Sequence, residues 1–351
     1  MNKRIYQWRV GLSLFTLLIS ALYVSWMPVS VQAQSNVLIS ALDWNLDGSY
    51  LALGRQDGTI EIRDRMNQII VSQSVSNTMI GSIAWSPVDV NIIAVSDRQG
   101  TITVWNYANN QLTTQLQIIS GQNRIPQIEW SPDGLFIAGL GELGEAASII
   151  SSVGIWDSST GVLIGSYQDL YKLGDIAWRP SVPTEILISG VLGGYGAQVA
   201  LWDINNGTVW TYDDSDAGVV YLAWNSDGTK FAILKNGLGS SDPTANAQLT
   251  LHDPSSGQIL SSFDTGISNI PSIDWYPNVA IALASRDKIT IFDATTGQVA
   301  HQINVEGFVD LINWSVTGDL VYSLYTVEGG FTIGVGNPQH RRHNQCQFAP
   351  D

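Results

Sequence analysis

Residues 125–134 read IPQIEWSPDG, an alternating apolar run that ends in Trp130 and passes straight into a Ser-Pro-Asp-Gly turn. Alternation at period two marks a half-buried strand. In the turn, Asp133 bonds its own backbone and Gly134 supplies the left-handed conformation that closes it. The same phrase recurs along the chain: ISALDW ends at Trp44, IGSIAW at Trp85, LGDIAW at Trp178, VVYLAW at Trp224, IPSIDW at Trp275 and FVDLINW at Trp314. Successive tryptophans stand 39 to 51 residues apart and average 45. That period fits one four-stranded blade of a propeller and excludes ankyrin, tetratricopeptide and leucine-rich units.

A second strand follows each turn, as at residues 50–53, 136–139 and 231–234. A third ends in an aromatic–acidic pair or a relic of one: Arg63-Asp64, Trp105-Asn106, Trp156-Asp157, Trp202-Asp203, His252-Asp253 and Phe292-Asp293. In four cases Gly stands four residues past the Asp (Gly161, Gly207, Gly257, Gly297), a hairpin device that launches an outer strand. In these features the chain resembles the WD-repeat propeller family, over about residues 28–336. Trp156-Asp157 and Trp202-Asp203 carry that family's dipeptide intact. The resemblance implies an all-β fold, a seven-bladed β-propeller of four-stranded antiparallel blades, and a non-catalytic scaffold that binds a protein or peptide. The family's Gly-His dipeptide is missing throughout, so its buried Asp–His–Ser/Thr–Trp network does not carry over. Blade seven also lacks the aromatic–Asp pair.

Of 351 residues, 16 are basic and 31 acidic, giving a charge of −15. Lys3, Arg4 and Arg9 lie in the first nine residues, and no acid precedes Asp43. So acidic a chain repels phosphate backbones, which argues against nucleic acid as a partner. A single Cys, Cys346, excludes a disulfide framework and a four-Cys zinc site. The composition, 44% hydrophobic and 13% charged, suits a large core.

The basic flank is followed by residues 10–27, which carry no charge, and by a small-residue cleavage motif at Val31-Gln32-Ala33. This is the layout of a secretory signal. The apolar stretch is also long enough to span a bilayer, so an uncleaved signal-anchor is the second reading. Both readings place the rest outside the cytoplasm, secreted, periplasmic or anchored, with membrane contact only through this segment. The expected organisation is residues 1–27 as signal peptide or anchor (with cleavage as late as Ala33), 28–338 as propeller and 339–351 as a flexible polar tail. Residues 28–36 align with 69–77, the outer strand of blade one, and so are expected to supply the outer strand of blade seven.

No catalytic constellation is visible: there is no G-x-S-x-G, H-E-x-x-H, P-loop or dinucleotide fingerprint. No catalytic residue, metal or cofactor is therefore expected. His340, His343 and Cys346 sit in the tail, and His252 takes a packed aromatic position. Asp157, Asp203, Asp253 and Asp293 read as turn caps. Loop length says more. Blades three to five carry extra residues between strands two and three, at 140–152, 190–198 and 235–248. The resemblance implies that these connections share one face beside the channel. They form an expected acidic rim bearing Glu142, Glu145, Tyr195, Asn236 and Asp242, suited to a basic partner. Trp210, on an outer strand, reads either as a partner anchor or as cover for apolar blade surface. The alternatives are a propeller enzyme or carbohydrate binder using the channel mouth, and a membrane-anchored sensor ectodomain.

Overall fold

A computed structural model describes residues 31–35, 37–117, 127–143, 150–167, 172–191, 196–214, 219–236, 245–325 and 331–336. Among them, strands β1 to β28 form seven four-stranded antiparallel sheets. Blade one runs β2 (Ile39–Trp44), β3 (Tyr50–Arg55), β4 (Thr59–Asp64) and β5 (Ile69–Ser74), each bonded to the next. Blades two to six repeat this order. Their innermost strands are β6 (Ile80–Trp85), β10 (Gln127–Trp130), β14 (Lys172–Trp178), β18 (Val219–Trp224) and β22 (Ile273–Tyr276). Blade seven is β26 (Phe308–Trp314), β27 (Leu320–Tyr325) and β28 (Phe331–Gly336), with β1 (Val31–Ser35) as its outer strand. Val31 lies opposite Ile333 and Ser35 opposite Phe331. The innermost strands touch in sequence, and β26 meets β2, so the ring is shut. Its last blade is completed from the other end of the chain, which covers the β28 edge.

The two faces of the ring differ in which connections they carry. Arg65 of the strand-three-to-four turn donates its Nε–H to the Gly48 carbonyl of the strand-one-to-two turn at 2.7 Å, so these turns share a face, here the turn face. On the opposite, loop face, the connection to the next blade meets the strand-two-to-three turn: Val75 N–H donates to the Gly58 carbonyl. Gly58 has φ +83° and the Ser76 carbonyl packed where a Cβ would stand, so only glycine fits.

The core lies between blades. Middle strands are buried on both sides and read as unbroken apolar runs, as in Ala280–Ala284. Between blades three and four, Ile155 and Tyr167 pack with Ile176, Trp178 and Trp202; between five and six, Leu249 and Leu251 pack with Trp275 and Phe292. Each fully buried side chain of this kind stabilises by about 1.5–3 kcal/mol. Outer strands alternate, as in Ile69–Ser74, because one side faces water.

Two of the three long connections, in blades three and four, are shorter than the sequence suggests. In blade three, β11 (Phe136–Leu143) and β12 (Ile150–Asp157) stay paired through Leu140–Val153 and Glu142–Ser151 to Leu143–Ile150. In blade four, β15 (Glu185–Val191) and β16 (Ala197–Asp203) remain paired to Val191–Ala197. In blade five, β19 (Phe231–Asn236) and β20 (Gln248–His252) pair up to Lys235–Gln248. In blades three and four part of the extra length therefore continues the ladder, because added facing residues satisfy more backbone groups, whereas in blade five the pairing stops at the ends of 235–248.

Candidate functional site

A channel of about 590 Å³ runs down the axis, lined by the innermost strands of all seven blades. Each such strand turns one edge to the channel, where its N–H groups have no strand partner and need another acceptor. Two levels of side chains supply it. In blades one, three and six the residue before the repeat Trp forms the first level. Asp43 Oδ2 accepts from Trp85 N–H (2.7 Å), Glu129 Oε2 from Trp178 N–H (2.9 Å) and Asp274 Oδ2 from Trp314 N–H (2.7 Å). The second level stands three residues before the Trp. Ser82 Oγ accepts from Ile128 N–H (3.2 Å), Gln127 Oε1 from Ile176 N–H (3.2 Å) and Asp175 Oδ2 from Leu222 N–H (2.8 Å). Each contact crosses from one blade to the next.

The repeat tryptophans tie the blades in the opposite direction. The indole N–H groups of Trp130 and Trp224 donate to the Ala84 and Ala177 carbonyls of the preceding blades, both at 2.9 Å, and Trp178 donates to the Glu129 carbonyl at 3.3 Å. Each of these is both a wedge of apolar surface and a polar strap between blades.

Burial dominates the acid–base character of the channel. It pushes Asp43 up to about 7, Glu129 to about 8, and Asp175 and Asp274 to about 6, against the stabilising pull of the backbone N–H groups on each carboxylate. Neighbouring channel acids add smaller upward pushes on Asp43 and Glu129. No Lys or Arg is among the described lining residues. The carboxyl groups could give up protons near neutral pH, but each already accepts a backbone N–H, so their evident work is joining blades. Among the described residues no three His, Cys, Asp or Glu converge as metal ligands.

The sequence contained a signal for this ring: an acid stands directly before Trp in LDW, IEW and IDW, at Asp43, Glu129 and Asp274. Reading it requires knowing that the Trp strand is the one whose edge faces the axis.

The rim residues are only partly placed. Glu142 sits near the end of β11 opposite Ser151, and Asn236 ends β19 opposite Val219; both strand ends reach the loop face. Their side chains, and Glu145, Tyr195 and Asp242 entirely, lie outside the described residues, as do residues 1–27 and 339–351. Trp210, on β17 (Gly207–Asp214), is half-buried. Its indole stacks on Phe231 at 5.4 Å and donates to the Pro254 carbonyl at 2.8 Å, joining blade four to blade five. His252 is fully buried, with Nδ1 2.9 Å from the Gly257 carbonyl and Nε2 2.8 Å from Thr250 Oγ1; burial lowers its pKa. Asp157, Asp203, Asp253 and Asp293 each accept two backbone N–H groups of their own turns. Hydrogen bonds from Ser159 and Thr160 hold Asp157 down at about 2.

Residues 21–88 match the family described as the anaphase-promoting complex subunit 4 WD40 domain. The chain is 23% identical over 290 residues to THO complex subunit 3 of Arabidopsis thaliana, covering 79% of this chain and 83% of that protein. It is 23% identical over 206 residues to the intraflagellar transport protein 80 homolog of Mus musculus, covering 58% of this chain and 24% of that one. It is 22% identical over 199 residues to the anaphase-promoting complex subunit cdc20 of Dictyostelium discoideum, covering 55% and 37%. The chain thus spans well under half of the length of the last two. The chain is a seven-bladed β-propeller, and by its repeat sequence and these matches it is similar to WD-repeat proteins. Two of these relatives are named as subunits of complexes.

Proposed function

We propose that the chain is an exported, non-catalytic binding platform that holds a basic protein or peptide on the loop face of blades three to five. The observation that carries this reading is the commitment of the channel. Its carboxylates are already bonded from blade to blade, which argues against the enzymatic and carbohydrate-binding alternatives at the channel mouth. The loop face remains. There, the strand pairs leading into 144–149, 192–195 and 237–244 belong to three consecutive blades. Glu142, Glu145 and Asp242, with Tyr195 and Asn236, offer acidic and polar chemistry suited to Lys and Arg. Support for export is the basic start and the uncharged residues 10–27; because cleavage after Ala33 would remove most of β1, the reading takes an uncleaved anchor or a cut before Pro28.

The test is capture of partners by the full chain, set against variants with Glu142→Lys and Asp242→Lys or with 144–149 and 237–244 shortened. A partner held by the native chain should be lost from both. Unchanged capture refutes the rim. Fractionation of the producing cell reads export separately.

A further inference from the structure

The exposed apolar side chains are unevenly distributed. Among the described residues, every large exposed hydrophobic except Phe308 and Tyr325 lies on the turn face or at the adjoining start of an outer strand. At the strand-one-to-two turns these are Leu46, Val88, Leu135, Val279 and Val316, each 48–61% exposed. They belong to blades one, two, three, six and seven, which form one unbroken arc of the ring. The equivalent turns of blades four and five carry Arg179 and Asp227 and no such residue. The turns also abut one another along the arc: Val88 packs over Gly134, Ser315 over Gly48 and Tyr276 over Gly318. Scattered exposed aliphatics need no explanation, whereas a contiguous set on one face does.

The place where the chain enters the ring lies within this arc. β28 descends from the loop face to the turn face, and β1 runs antiparallel to it, so Val31 is at the turn-face end of β1 in blade seven. Only residues 28–30 separate Val31 from the uncharged stretch 10–27. Four Cα steps reach at most about 14 Å. As a helix, the stretch would be about 27 Å long, close to the hydrocarbon thickness of a bilayer. Trp8 stands just before it and Trp26 at its last turn, where interfacial aromatics stand, and Lys3, Arg4 and Arg9 lie beyond the far end. A tether so short leaves the ring little choice of face.

We propose that the turn face of blades six, seven, one, two and three rests on the lipid surface of the membrane in which residues 10–27 are anchored. This rests on the uncleaved-anchor form of the export reading. The occupant is a zwitterionic bilayer surface, because Asp47, Asp89, Asp133 and Asp319 stand on the same arc, with Arg65 among them, and disfavour anionic headgroups. The apolar turns meet the interface while the loop face points away, free for a protein partner.

The experiment uses the full chain, with Cys346→Ser, reconstituted in phosphatidylcholine vesicles. An environment-sensitive dye is placed by Val88→Cys, by Val316→Cys, or, as a loop-face control, by Gln99→Cys. The dyes at 88 and 316 should shift to the blue and lose emission to nitroxide-labelled lipid, and the one at 99 should do neither. Phosphatidylserine in the vesicles should weaken the effect. Equal exposure of all three dyes overturns the proposal. So does shielding at 88 and 316 without vesicles together with crosslinking between copies, which would make the arc a self-association surface. The mass of the chain recovered from the producing cell reads the anchor separately. Loss of residues 1–27 defeats the export form on which the proposal rests, whereas an intact mass with exposed dyes defeats the docking alone.

Discussion

Replacing Asp43 by Asn should reverse its effect on stability with pH. Asp43 accepts N–H groups from Trp85 and from its neighbour Trp44, and it is enclosed by the channel wall. Burial raises its pKa from 3.8 to about 7, with the charge of Asp274 across the ring adding to the push. The folded state therefore holds this proton more tightly than the unfolded chain does. The stabilisation is complete below about pH 3.8, fades as the pH climbs to about 7, and is gone above that. At about 1.4 kcal/mol per pH unit, the whole span is worth about 4 kcal/mol, less whatever channel water solvates. Asn cannot ionise. It keeps one acceptor and turns an amide N–H₂ toward the second donor, a loss of about 1–3 kcal/mol. At pH 4.5 the variant should thus be less stable than the native chain by that amount. At pH 8.5 it should be equal or more stable, a swing of about 3 kcal/mol. Urea unfolding followed by tryptophan fluorescence at both pH values measures this directly, the coupling of Asp43 to Glu129 and Asp274 adding only a smaller change. An equal difference at both pH values would refute the assignment of a raised pKa to Asp43.

Four further outcomes are expected. Glu61→Ala strips the buried partner shared by Arg55 and Arg63 and should cost about 3–5 kcal/mol in chemical denaturation; a neutral result would show that the arginines find other partners. Trp224→Phe removes the strap to the Ala177 carbonyl and should cost about 1–3 kcal/mol beyond the change in packing, read as a lowered Tm. Gly297→Ala should destabilise more than Gly207→Ala. Both have positive φ, but a Cβ at 297 strikes the Phe263 ring while nothing stands near 207, so equal Tm changes contradict the geometry. A chain that starts at Asn36 lacks β1 and bares the β28 edge; it should melt earlier and self-associate on size exclusion, whereas a monomer of native Tm would show that β1 is dispensable.

Seven tryptophans in register were enough to count the blades, because a wedge between neighbouring sheets must recur wherever a blade does. The turn acids were equally plain, since Asp157 and Asp293 cap turns by purely local bonds. The channel acids were written in the sequence but not readable there. Asp43 and Glu129 look like polar interruptions of a strand until the ring places their strand edges on the axis. Loop length is incomplete for a related reason: insertion of residues between strands two and three does not say whether they leave the sheet or prolong it, and Glu142 prolongs it. Trp210 was ambiguous because an outer-strand aromatic faces water or a neighbouring blade according to blade twist, which no local pattern encodes. Its partner, Pro254, is 44 residues away.

The clasp between β1 and β28 also orders events in time. Every other strand pair joins residues close along the chain, so blades can form as they are made. Bringing Ser35 to Phe331 instead closes a loop of roughly 300 residues, an entropic cost of about 5 kcal/mol. The strand synthesised first therefore waits for the one synthesised near the end, and ring closure is the natural slow step of folding. Through that interval two complementary edges stand open on every molecule. The reaction that competes with closure is exchange, in which the β1 of one chain completes the last blade of another.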